Sequence, residues 1–290
     1  TIVFTASVSG ATVDLGDGDD TVTLGNFANT LTLSNVETLN GGSGTDFVTL
    51  ATAVTAGTLN LGAGSDRLTL GNFENTVTLS NIESIVGGTS NDTVTLATQI
   101  IGGSINLGSG DDTLTLGDFV NTLTVAGVET LTGGASSDIV TLSGQFTGGT
   151  IDLGAGTDTL TLGNFANTLT VENVENITGG TSADHITLGS AITTGTINLG
   201  LGSDTLVLGD FANTLTVVGI ETLTGGSSDD VVTLGAAVTS GTLDLGDGSD
   251  TLTLGNFANT VTLTNIESIV GGSGADTVTL GSQVTSGTIN

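Results

Sequence analysis

The sequence predicts an all-β fold, a right-handed parallel β-solenoid, from three observations. The chain repeats itself every 46 residues. Aliphatic residues alternate with threonine inside each repeat, as in Thr93-Val94-Thr95-Leu96. Glycine, asparagine and aspartate separate these alternating segments, as expected for strands joined by tight turns. Alternation with a period of two places the aliphatic residues inside and threonine outside, and tandem repeats of this kind are typical of solenoids.

The repeats fill the chain without insertion or deletion. An LGxG motif begins each repeat, at Leu15, Leu61, Leu107, Leu153, Leu199 and Leu245. We therefore expect one solenoid segment over 1–290, with a partial repeat at 1–14 and full repeats at 15–60, 61–106, 107–152, 153–198, 199–244 and 245–290. The segment 1–14 aligns with the segment 277–290, so the chain starts and stops in phase. Neither end resembles the polar cap of most solenoids, which predicts a segment of a longer array or a unit that stacks end to end.

Each repeat contains several strands and two turns rich in glycine and aspartate. In the second repeat the predicted elements are a strand at 67–70, a corner at 71–75, a strand at 76–85 that bends at 80–81, a turn at 87–92, and strands at 93–96 and 103–107. The two turns favour two coils per repeat, a longer one such as Asp20 to Asp46 and a shorter one such as Asp46 to Asp66. The alternative is one wide coil per repeat.

The charge of the chain restricts its partners. The formal net charge is -29, with one Arg, no Lys and one His. Nucleic acids and anionic lipids are bound through Lys and Arg, so neither is an expected partner. A membrane-spanning helix needs roughly 20 consecutive apolar residues; the sequence has no such run, and we expect no membrane insertion. Carboxylates without Cys, beside a single His, favour calcium over zinc or copper.

The two glycine-aspartate turns are the candidate metal sites. One has the form LGxGxD, as in Leu61-Gly62-Ala63-Gly64-Ser65-Asp66, and the other has the form GGxxxD, as in Gly87 to Asp92. The chain resembles the repeats-in-toxin (RTX) family, whose nonapeptide is GGxGxDxUx, over its whole length. The resemblance implies calcium held between coils by the aspartates and glycine turns, at Gly16, Gly18, Asp20, Gly62, Gly64, Asp66, Gly108, Gly110, Asp112, Gly154, Gly156, Asp158, Gly200, Gly202, Asp204, Gly246, Gly248 and Asp250, and at Asp46, Asp92, Asp138, Asp184, Asp230 and Asp276. It also implies a secreted, extracellular or cell-surface protein.

The turns depart from the family pattern in two ways. Leucine replaces the first glycine of the LGxGxD turn, and the GGxxxD turn keeps its third glycine only at Gly44 and Gly274. One alternative is therefore that glycine and aspartate only make tight turns, with aspartate capping backbone amides. Carboxylates stacked roughly 5 Å apart would repel one another by about 1 kcal/mol per pair even in water. A bridging divalent cation removes that cost, and splaying into solvent reduces it.

Two other residue types recur once per repeat. The recurring glutamates either add metal ligands or form a solvated acidic stripe, and they are Glu37, Glu83, Glu129, Glu175, Glu221 and Glu267. The recurring phenylalanines are expected to fill a corner as an aromatic ladder, with a sugar-stacking platform as the alternative; they are Phe27, Phe73, Phe119, Phe165, Phe211 and Phe257. The solitary His185 and Arg67 are interpreted as surface positions.

These features predict a structural protein and not an enzyme. One His without Cys, Lys or Tyr provides no nucleophile, base and orienting group for hydrolysis. We expect a calcium-stabilised solenoid that forms a filament, surface layer (S-layer) or adhesin stalk by self-association, end to end or side by side. Cell-surface or matrix components are further candidate partners. The alternative is ice binding through Thr-x-Thr rows such as Thr21/Thr23. A carbohydrate-active solenoid is a third hypothesis, although its clefts use Lys, Arg, His or Tyr.

Overall fold

The computed structural model describes residues 1–282 and 288–290. The last predicted repeat, 245–290, therefore includes 283–287, which lie outside the described residues. The described chain is made of strands and turns, and no helix in it is long and apolar enough to cross a membrane. Two compact units are present, Thr1–Gly144 and Gln145–Asn290. Each unit is described by itself.

The first unit consists of two parallel sheets of eight strands each. Its sheet one contains β1 (Ile2–Val3), β3 (Thr21–Thr23), β5 (Thr38–Gly42), β7 (Gly57–Gly62), β9 (Thr76–Ser80), β11 (Thr93–Leu96), β13 (Thr113–Thr115) and β15 (Thr130–Gly134). Its sheet two contains β2 (Ser9–Asp14), β4 (Asn29–Ser34), β6 (Asp46–Leu50), β8 (Arg67–Thr69), β10 (Ser84–Gly88), β12 (Ile101–Gly108), β14 (Thr122–Ala126) and β16 (Ile139–Leu142). Successive strands alternate between the sheets, so the chain winds as a β-solenoid.

The second unit has the same architecture. Its sheet one contains β17 (Thr147–Gly154), β19 (Thr168–Glu172), β21 (His185–Leu188), β23 (Thr205–Val207), β25 (Thr222–Gly226), β27 (Gly241–Gly246), β29 (Thr260–Thr264) and β31 (Thr277–Leu280). Its sheet two contains β18 (Thr159–Thr161), β20 (Asn176–Gly180), β22 (Thr196–Gly200), β24 (Thr214–Val218), β26 (Val231–Leu234), β28 (Thr251–Thr253), β30 (Ser268–Val270) and β32 (Thr288–Ile289). The prediction of an all-β parallel solenoid is confirmed for both units.

The core of each unit is a stack of aliphatic residues from the inner faces of the two sheets. In sheet one of the first unit, Leu39 lies opposite Leu59, and Leu59 lies opposite Leu79. All three are at most 1% exposed. The threonines between them, such as Thr58 and Thr78, point outward. The alternation predicted from the sequence is therefore confirmed, and burial of these aliphatic side chains is the main favourable contribution to folding.

The prediction of two coils per repeat is wrong, because each repeat contributes five strands. The repeat that contains β3 to β7 is followed by the repeat that contains β8 to β12. β3 lies in sheet one and the equivalent β8 lies in sheet two. With two strands per coil, a repeat makes two and a half coils, and its successor starts on the opposite sheet. The step from Asp46 to Asp66 is one complete coil, whereas the longer step from Asp66 to Asp92 spans one and a half coils.

The extra half coil comes from a corner that the sequence showed only as a bend. Asn81 has a φ of 54°, and this left-handed residue ends β9 and redirects the chain towards β10 in the other sheet. Asn35, Asn173 and Asn265 have φ values of 52–53° at the same place, and the third and fifth repeats use Gly127 and Gly219. Asparagine and glycine are the residues that adopt this conformation most readily. A predicted single strand at 76–85 is thus two strands.

Candidate metal centre

The two glycine-aspartate turns meet at one edge of the solenoid, in adjacent coils. Asp46 ends a GGxxxD turn and begins β6, and Asp66 ends an LGxGxD turn just before β8. The backbone N–H of Asp46 donates to Oδ1 of Asp66 at 2.7 Å. The same 2.7 Å hydrogen bond joins Asp92 to Asp112, Asp184 to Asp204 and Asp230 to Asp250. Aspartates that are distant in sequence are therefore neighbours in each of these pairs.

Both carboxylates of such a pair are buried, and each has an oxygen that makes no hydrogen bond. Asp46 is 0% exposed and Asp66 is 1% exposed. An unpartnered, buried Oδ2 is present in Asp46, Asp66, Asp92, Asp112, Asp184, Asp204, Asp230 and Asp250. A charged oxygen buried without a partner is strongly unfavourable. Each pair therefore requires a proton or a cation.

The acidity of these groups reflects the same environment. Burial raises the pKa of Asp66 to about 6, and the nearby charges of Asp46 and Glu83 act in the same direction. Burial likewise raises the pKa of Asp112, Asp204 and Asp250 to about 6. The pKa of Asp46, the other member of the first pair, is also raised by burial, while hydrogen bonds from Asn29 oppose the shift. A pKa of about 6 leaves Asp66, Asp112, Asp204 and Asp250 largely ionised at neutral pH, so a cation is the better partner for each pair there.

Each pair belongs to a longer ladder of hydrogen bonds between coils. Beside Asp46, the backbone N–H of Asn29 and its Nδ2 donate to Asp46 Oδ1 at 3.1 and 2.7 Å. The backbone N–H of Asp66 in turn donates to Oε2 of Glu83 at 2.8 Å. The order along the ladder is therefore asparagine, aspartate, aspartate, glutamate in four successive coils. The aspartates occur in pairs and do not form the continuous stack that coil spacing suggested.

The recurring glutamates are structural acceptors and not a purely solvated stripe. All six are half-buried, and each accepts a hydrogen bond of 2.8–2.9 Å from the backbone N–H of the aspartate in the LGxGxD turn; they are Glu37, Glu83, Glu129, Glu175, Glu221 and Glu267. Neither alternative from the sequence described this role. The glutamates place a further negative charge beside each aspartate pair.

The glycines of the LGxGxD turn allow backbone oxygens to approach. Gly62 has a φ of 91°, and a Cβ there would lie 2.0 Å from the carbonyl oxygen of Gly42. A Cβ on Gly64 would lie 2.7 Å from both Asp66 Oδ1 and the carbonyl oxygen of Gly44. Carboxylate and carbonyl oxygens thus converge on a small cradle that any side chain at Gly64 would fill.

The same positions are glycine with positive φ in the other repeats. The first predicted glycine of the turn has φ of 77–102° at Gly16, Gly62, Gly108, Gly154, Gly200 and Gly246. The second has φ of 130–158° at Gly18, Gly110, Gly156, Gly202 and Gly248.

The departures from the family pattern leave the cradle intact. In the second to fifth repeats serine replaces the third glycine of the GGxxxD turn, but only its backbone faces the cradle. A Cβ on Gly202 would lie 2.8 Å from both the carbonyl oxygen of Ser182 and Asp204 Oδ1. The leucine that replaces the first glycine serves the core, since Leu61 is 0% exposed. Neither substitution removes an oxygen from the candidate site.

The other four predicted aspartates, Asp20, Asp138, Asp158 and Asp276, also lie in the glycine-aspartate turns. Asp20 and Asp276 belong to the first and last coils and are half-buried. Asp276 accepts hydrogen bonds from the N–H and Nδ2 of Asn259 at 3.0 and 2.8 Å. In the first unit, Asp138 is 0% exposed and accepts the N–H of Asn121 at 2.8 Å. In the second unit, Asp158 is 0% exposed and its N–H donates to Glu175 at 2.8 Å.

The donor set fits a hard cation that also binds carbonyl oxygens. No group of three or more Asp, Glu, His or Cys side chains poised to hold a metal occurs within residues 1–282 and 288–290. A cation at the Asp46–Asp66 pair would therefore bind two carboxylates and complete its coordination shell with backbone carbonyl oxygens. The carbonyl oxygen of Gly44 is the one that lies nearest to the cradle at Gly64. Calcium accepts this mixture of ligands, whereas magnesium requires a stricter octahedron. The orphaned oxygens and the cradle both fit calcium.

Sequence reasoning missed the asparagine of the ladder and misplaced the phenylalanine. One Asn, at most 1% exposed, occupies the same position in all six repeats, at Asn29, Asn75, Asn121, Asn167, Asn213 and Asn259. The sequence could have indicated this residue, because the asparagine is the same in all six repeats while the residue before it varies (Ala28, Glu74 or Val120).

The predicted aromatic ladder is wrong. Phe27 and Phe73 are 45% and 37% exposed, so they do not fill an interior corner. Within a unit, consecutive phenylalanines such as Phe27 and Phe73 lie on opposite edges of the solenoid, because a repeat makes two and a half coils. Within a unit, the next phenylalanine on the same edge, such as Phe119 after Phe27, is therefore five coils away.

The solitary His185 and Arg67 are exposed on outer faces, as expected.

Comparison with known proteins identifies the same turns. The family model of the RTX calcium-binding nonapeptide repeat (4 copies) matches residues 150–169, 218–237 and 264–283. These segments contain Asp158, Asp230 and Asp276, respectively. Among solved structures, the chain is similar to a hyperactive, Ca2+-dependent, β-helical antifreeze protein from an Antarctic bacterium, with 18% identity, a TM-score of 0.29, and coverage of 95% of this chain and 82% of that chain. No curated protein matches.

Proposed function

We propose that this chain, an RTX-like calcium-binding β-solenoid repeat protein, works outside the cell as a structural element stabilised by calcium. The observation that carries the proposal is the buried aspartate pair, represented by Asp46 and Asp66, with an unpartnered oxygen on each member. Without a cation these pairs oppose folding at neutral pH. With calcium they join adjacent coils. The chain would therefore fold where calcium is abundant, because metal binding and folding share one free energy.

The repetition of these pairs supports a structural role over a catalytic one. Equivalent pairs recur at Asp92–Asp112, Asp184–Asp204 and Asp230–Asp250. A repeated linkage between coils stiffens a solenoid, whereas an enzyme needs one differentiated site. Filament, surface layer and adhesin stalk are the roles that such an element would serve, and the net charge of -29 favours cations over nucleic acid or anionic lipid as partners.

Self-association is the second part of the proposal. In the last coil of the second unit, Val278, Leu280 and Ile289 are 37%, 45% and 63% exposed. The equivalent residues one coil earlier, Val261 and Leu263, are at most 3% exposed. A further coil, from this chain or from a second copy, would cover this apolar surface and pair the open strand edges. We propose that a second copy does so when calcium is bound.

Sedimentation velocity of the purified chain tests both parts. The metal-free chain is expected to sediment as an expanded monomer, and calcium is expected to compact it and then produce larger species at high concentration. Ile289→Asp and Leu280→Asp should reduce the assembly without changing calcium-driven compaction. A compact species in chelator would contradict the calcium proposal. A calcium-loaded chain that stays monomeric at high concentration would contradict self-association alone.

Ice binding is a second candidate function, and a column of threonines favours it. In sheet one of the first unit, seven outward threonines lie in register on adjacent strands; they are Thr21, Thr38, Thr58, Thr78, Thr95, Thr115 and Thr132. On the outer face of sheet two, Phe47, Arg67 and Val86 interrupt the corresponding columns. Strand spacing of about 4.8 Å gives the column a regular repeat, which is what a surface that orders water requires.

Inhibition of ice recrystallisation tests this candidate. Thr58→Tyr disrupts the threonine column, and Thr49→Tyr makes the same change at an exposed position of sheet two. Loss of inhibition with Thr58→Tyr and its retention with Thr49→Tyr would support ice binding through sheet one. A calcium-loaded chain that does not inhibit recrystallisation would exclude the candidate.

A further inference from the structure

The buried asparagine of the ladder places its side-chain nitrogen in a cage of oxygens. In the second repeat, Nδ2 of Asn75 lies 2.8 Å from the carbonyl oxygen of Phe73, 2.8 Å from Asp92 Oδ1 and 3.4 Å from the carbonyl oxygen of Leu70. Asn75 is 1% exposed. Its Oδ1 accepts the backbone N–H of Val54 at 3.0 Å. The side-chain amide of Asn75 therefore accepts a backbone hydrogen bond from one adjacent coil through Oδ1, and its Nδ2 occupies the cage.

The same arrangement recurs through both units. Nδ2 lies 2.7–3.3 Å from the carbonyl oxygen of the preceding phenylalanine and 2.7–3.0 Å from the aspartate Oδ1, for Asn29, Asn75, Asn121, Asn167, Asn213 and Asn259. Two backbone or carboxylate oxygens that face one point from adjacent coils are also what an inter-coil cation uses. A neutral N–H donor occupies that point in every repeat.

The ladder therefore has a fixed order of donors and charges. In successive coils it presents Val54, Asn75, Asp92, Asp112 and Glu129. Asp92 and Asp112 both carry an unpartnered Oδ2. Asn75 has no unpartnered oxygen at its contact with Asp92, because its Oδ1 and its Nδ2 both make hydrogen bonds. Of the steps in this ladder, the aspartate–aspartate step is the one in which both members carry an unpartnered buried oxygen.

We infer that these asparagines limit each repeat to one calcium site, by placing a neutral amide at the step where a further aspartate pair would bind a second cation. The backbone N–H of Asn75 donates to Asp92 Oδ1 just as that of Asp92 donates to Asp112 Oδ1. The inference rests on the proposed calcium-dependent function. Asparagine and aspartate have the same shape, so Asn75→Asp would replace Nδ2 by an oxygen that faces Asp92 Oδ1 and the Phe73 carbonyl. That change converts the asparagine–aspartate step into an aspartate–aspartate step like that of Asp92 and Asp112. A divalent cation of calcium's ligand preference would then occupy it.

A purely structural role for Asn75 makes a different prediction. If the amide only satisfies the Val54 N–H and the Phe73 carbonyl, then Asn75→Asp loses one donor, adds a repulsive charge and gains no site. Asn72→Asp is the matched control, since it adds the same charge at an exposed position of the same corner. The third and fifth repeats already carry Asp118 and Asp210 at that position, so the fold tolerates the change.

Counting bound calcium on the full chain separates the two roles. Equilibrium dialysis against calcium, followed by atomic absorption, is expected to give one more ion per chain for Asn75→Asp than for the wild type, and no increase for Asn72→Asp. A folded Asn75→Asp chain with the wild-type count would overturn the inference. A wild-type chain that retains no calcium would instead refute the proposed function.

A second variant guards against failure to fold. Asn259→Asp makes the equivalent change near the end of the second unit, where its partner Asp276 is only half-buried and the added charge is better solvated. It should also gain one calcium ion. If both variants remain unfolded at calcium concentrations that fold the wild type, as judged by far-UV circular dichroism, then a cation does not fit the cage and the inference is wrong.

Discussion

The backbone N–H of Asp92 donates to Oδ1 of Asp112 at 2.7 Å, and this contact brings two buried carboxylates together in adjacent coils. One oxygen of each carboxylate has no partner. The two residues come from different turn types, GGxxxD and LGxGxD, which are distant from each other in the sequence. The stability of the solenoid therefore depends on what neutralises this pair.

Asp112→Asn is expected to remove one calcium site and to stabilise the metal-free chain. The asparagine oxygen can still accept the Asp92 N–H, while the charge beside Asp92 and Glu129 is lost and N–H donors are added. We expect one calcium ion fewer per chain and, at about pH 5.5 where protonation favours the folded metal-free chain, a gain on the order of 1 kcal/mol in its unfolding free energy. Isothermal titration calorimetry and urea unfolding measure the two quantities.

Asp111→Asn is the control for that change. It removes the same charge from the preceding, exposed residue. Its calcium count should match the wild type. An equal loss of calcium in both variants would mean that general acidity, and not the buried pair, holds the metal.

The pH dependence of stability should reverse with calcium. The pKa of Asp66, Asp112, Asp204 and Asp250 is raised to about 6 by burial, against 3.8 when unfolded. Between these values the folded, metal-free chain binds more protons than the unfolded chain, so its unfolding free energy falls as pH rises from about 4 to about 6. Calcium replaces those protons, so the calcium-loaded chain should instead gain stability over the same range.

Thermal unfolding of dialysed protein at about pH 4.5 and 5.5, with and without calcium, checks this reversal. A metal-free chain that becomes less stable on acidification would contradict burial of the unprotonated pairs.

The corner at Asn81 should tolerate glycine better than alanine. Its φ of 54° costs an alanine roughly 1 kcal/mol or more, whereas glycine adopts it freely. Both substitutions lose the hydrogen bond from Asn81 Nδ2 to Asn60 Oδ1, so their difference isolates the backbone. We expect Asn81→Ala to be less stable than Asn81→Gly by about 1 kcal/mol in urea unfolding. Equal stabilities would argue against a left-handed corner.

The core should be sensitive to truncation while the outer face is not. Leu114 is 0% exposed, and its neighbour Thr115 points outward. Leu114→Ala is expected to lower the unfolding free energy of the calcium-loaded chain by about 2–5 kcal/mol. Thr115→Ala should change it by less than about 0.5 kcal/mol. Similar losses for both would mean that the inward and outward faces are wrongly assigned.

The sequence was sufficient to predict the strands, the inward face and the turns. Alternation decides which of Leu114 and Thr115 is buried, and glycine with aspartate identifies turns such as Gly62 to Asp66. The number of coils was not predictable in the same way. The sequence shows the same asparagine whether Asn81 makes a slight bend within a strand or a left-handed corner. Only a corner sends the chain to the other sheet.

The pairing of residues within the site was not predictable either, because it depends on the number of coils per repeat. Asp46 and Asp66 become neighbours because the segment between them makes one coil, whereas the longer segment from Asp66 to Asp92 leads to the opposite edge. The role of Asn75 depends on which coil lies above it, and the exposure of Phe73 depends on which edge it occupies. Neither is set by local sequence.

A calcium titration of the metal-free chain at neutral pH, followed by far-UV circular dichroism, tests the central claim most directly. Neutralisation of the buried aspartate pairs predicts a cooperative gain of β signal with calcium and a much weaker response to magnesium. A chain that already has its full β signal in chelator, and binds no calcium, would contradict the account.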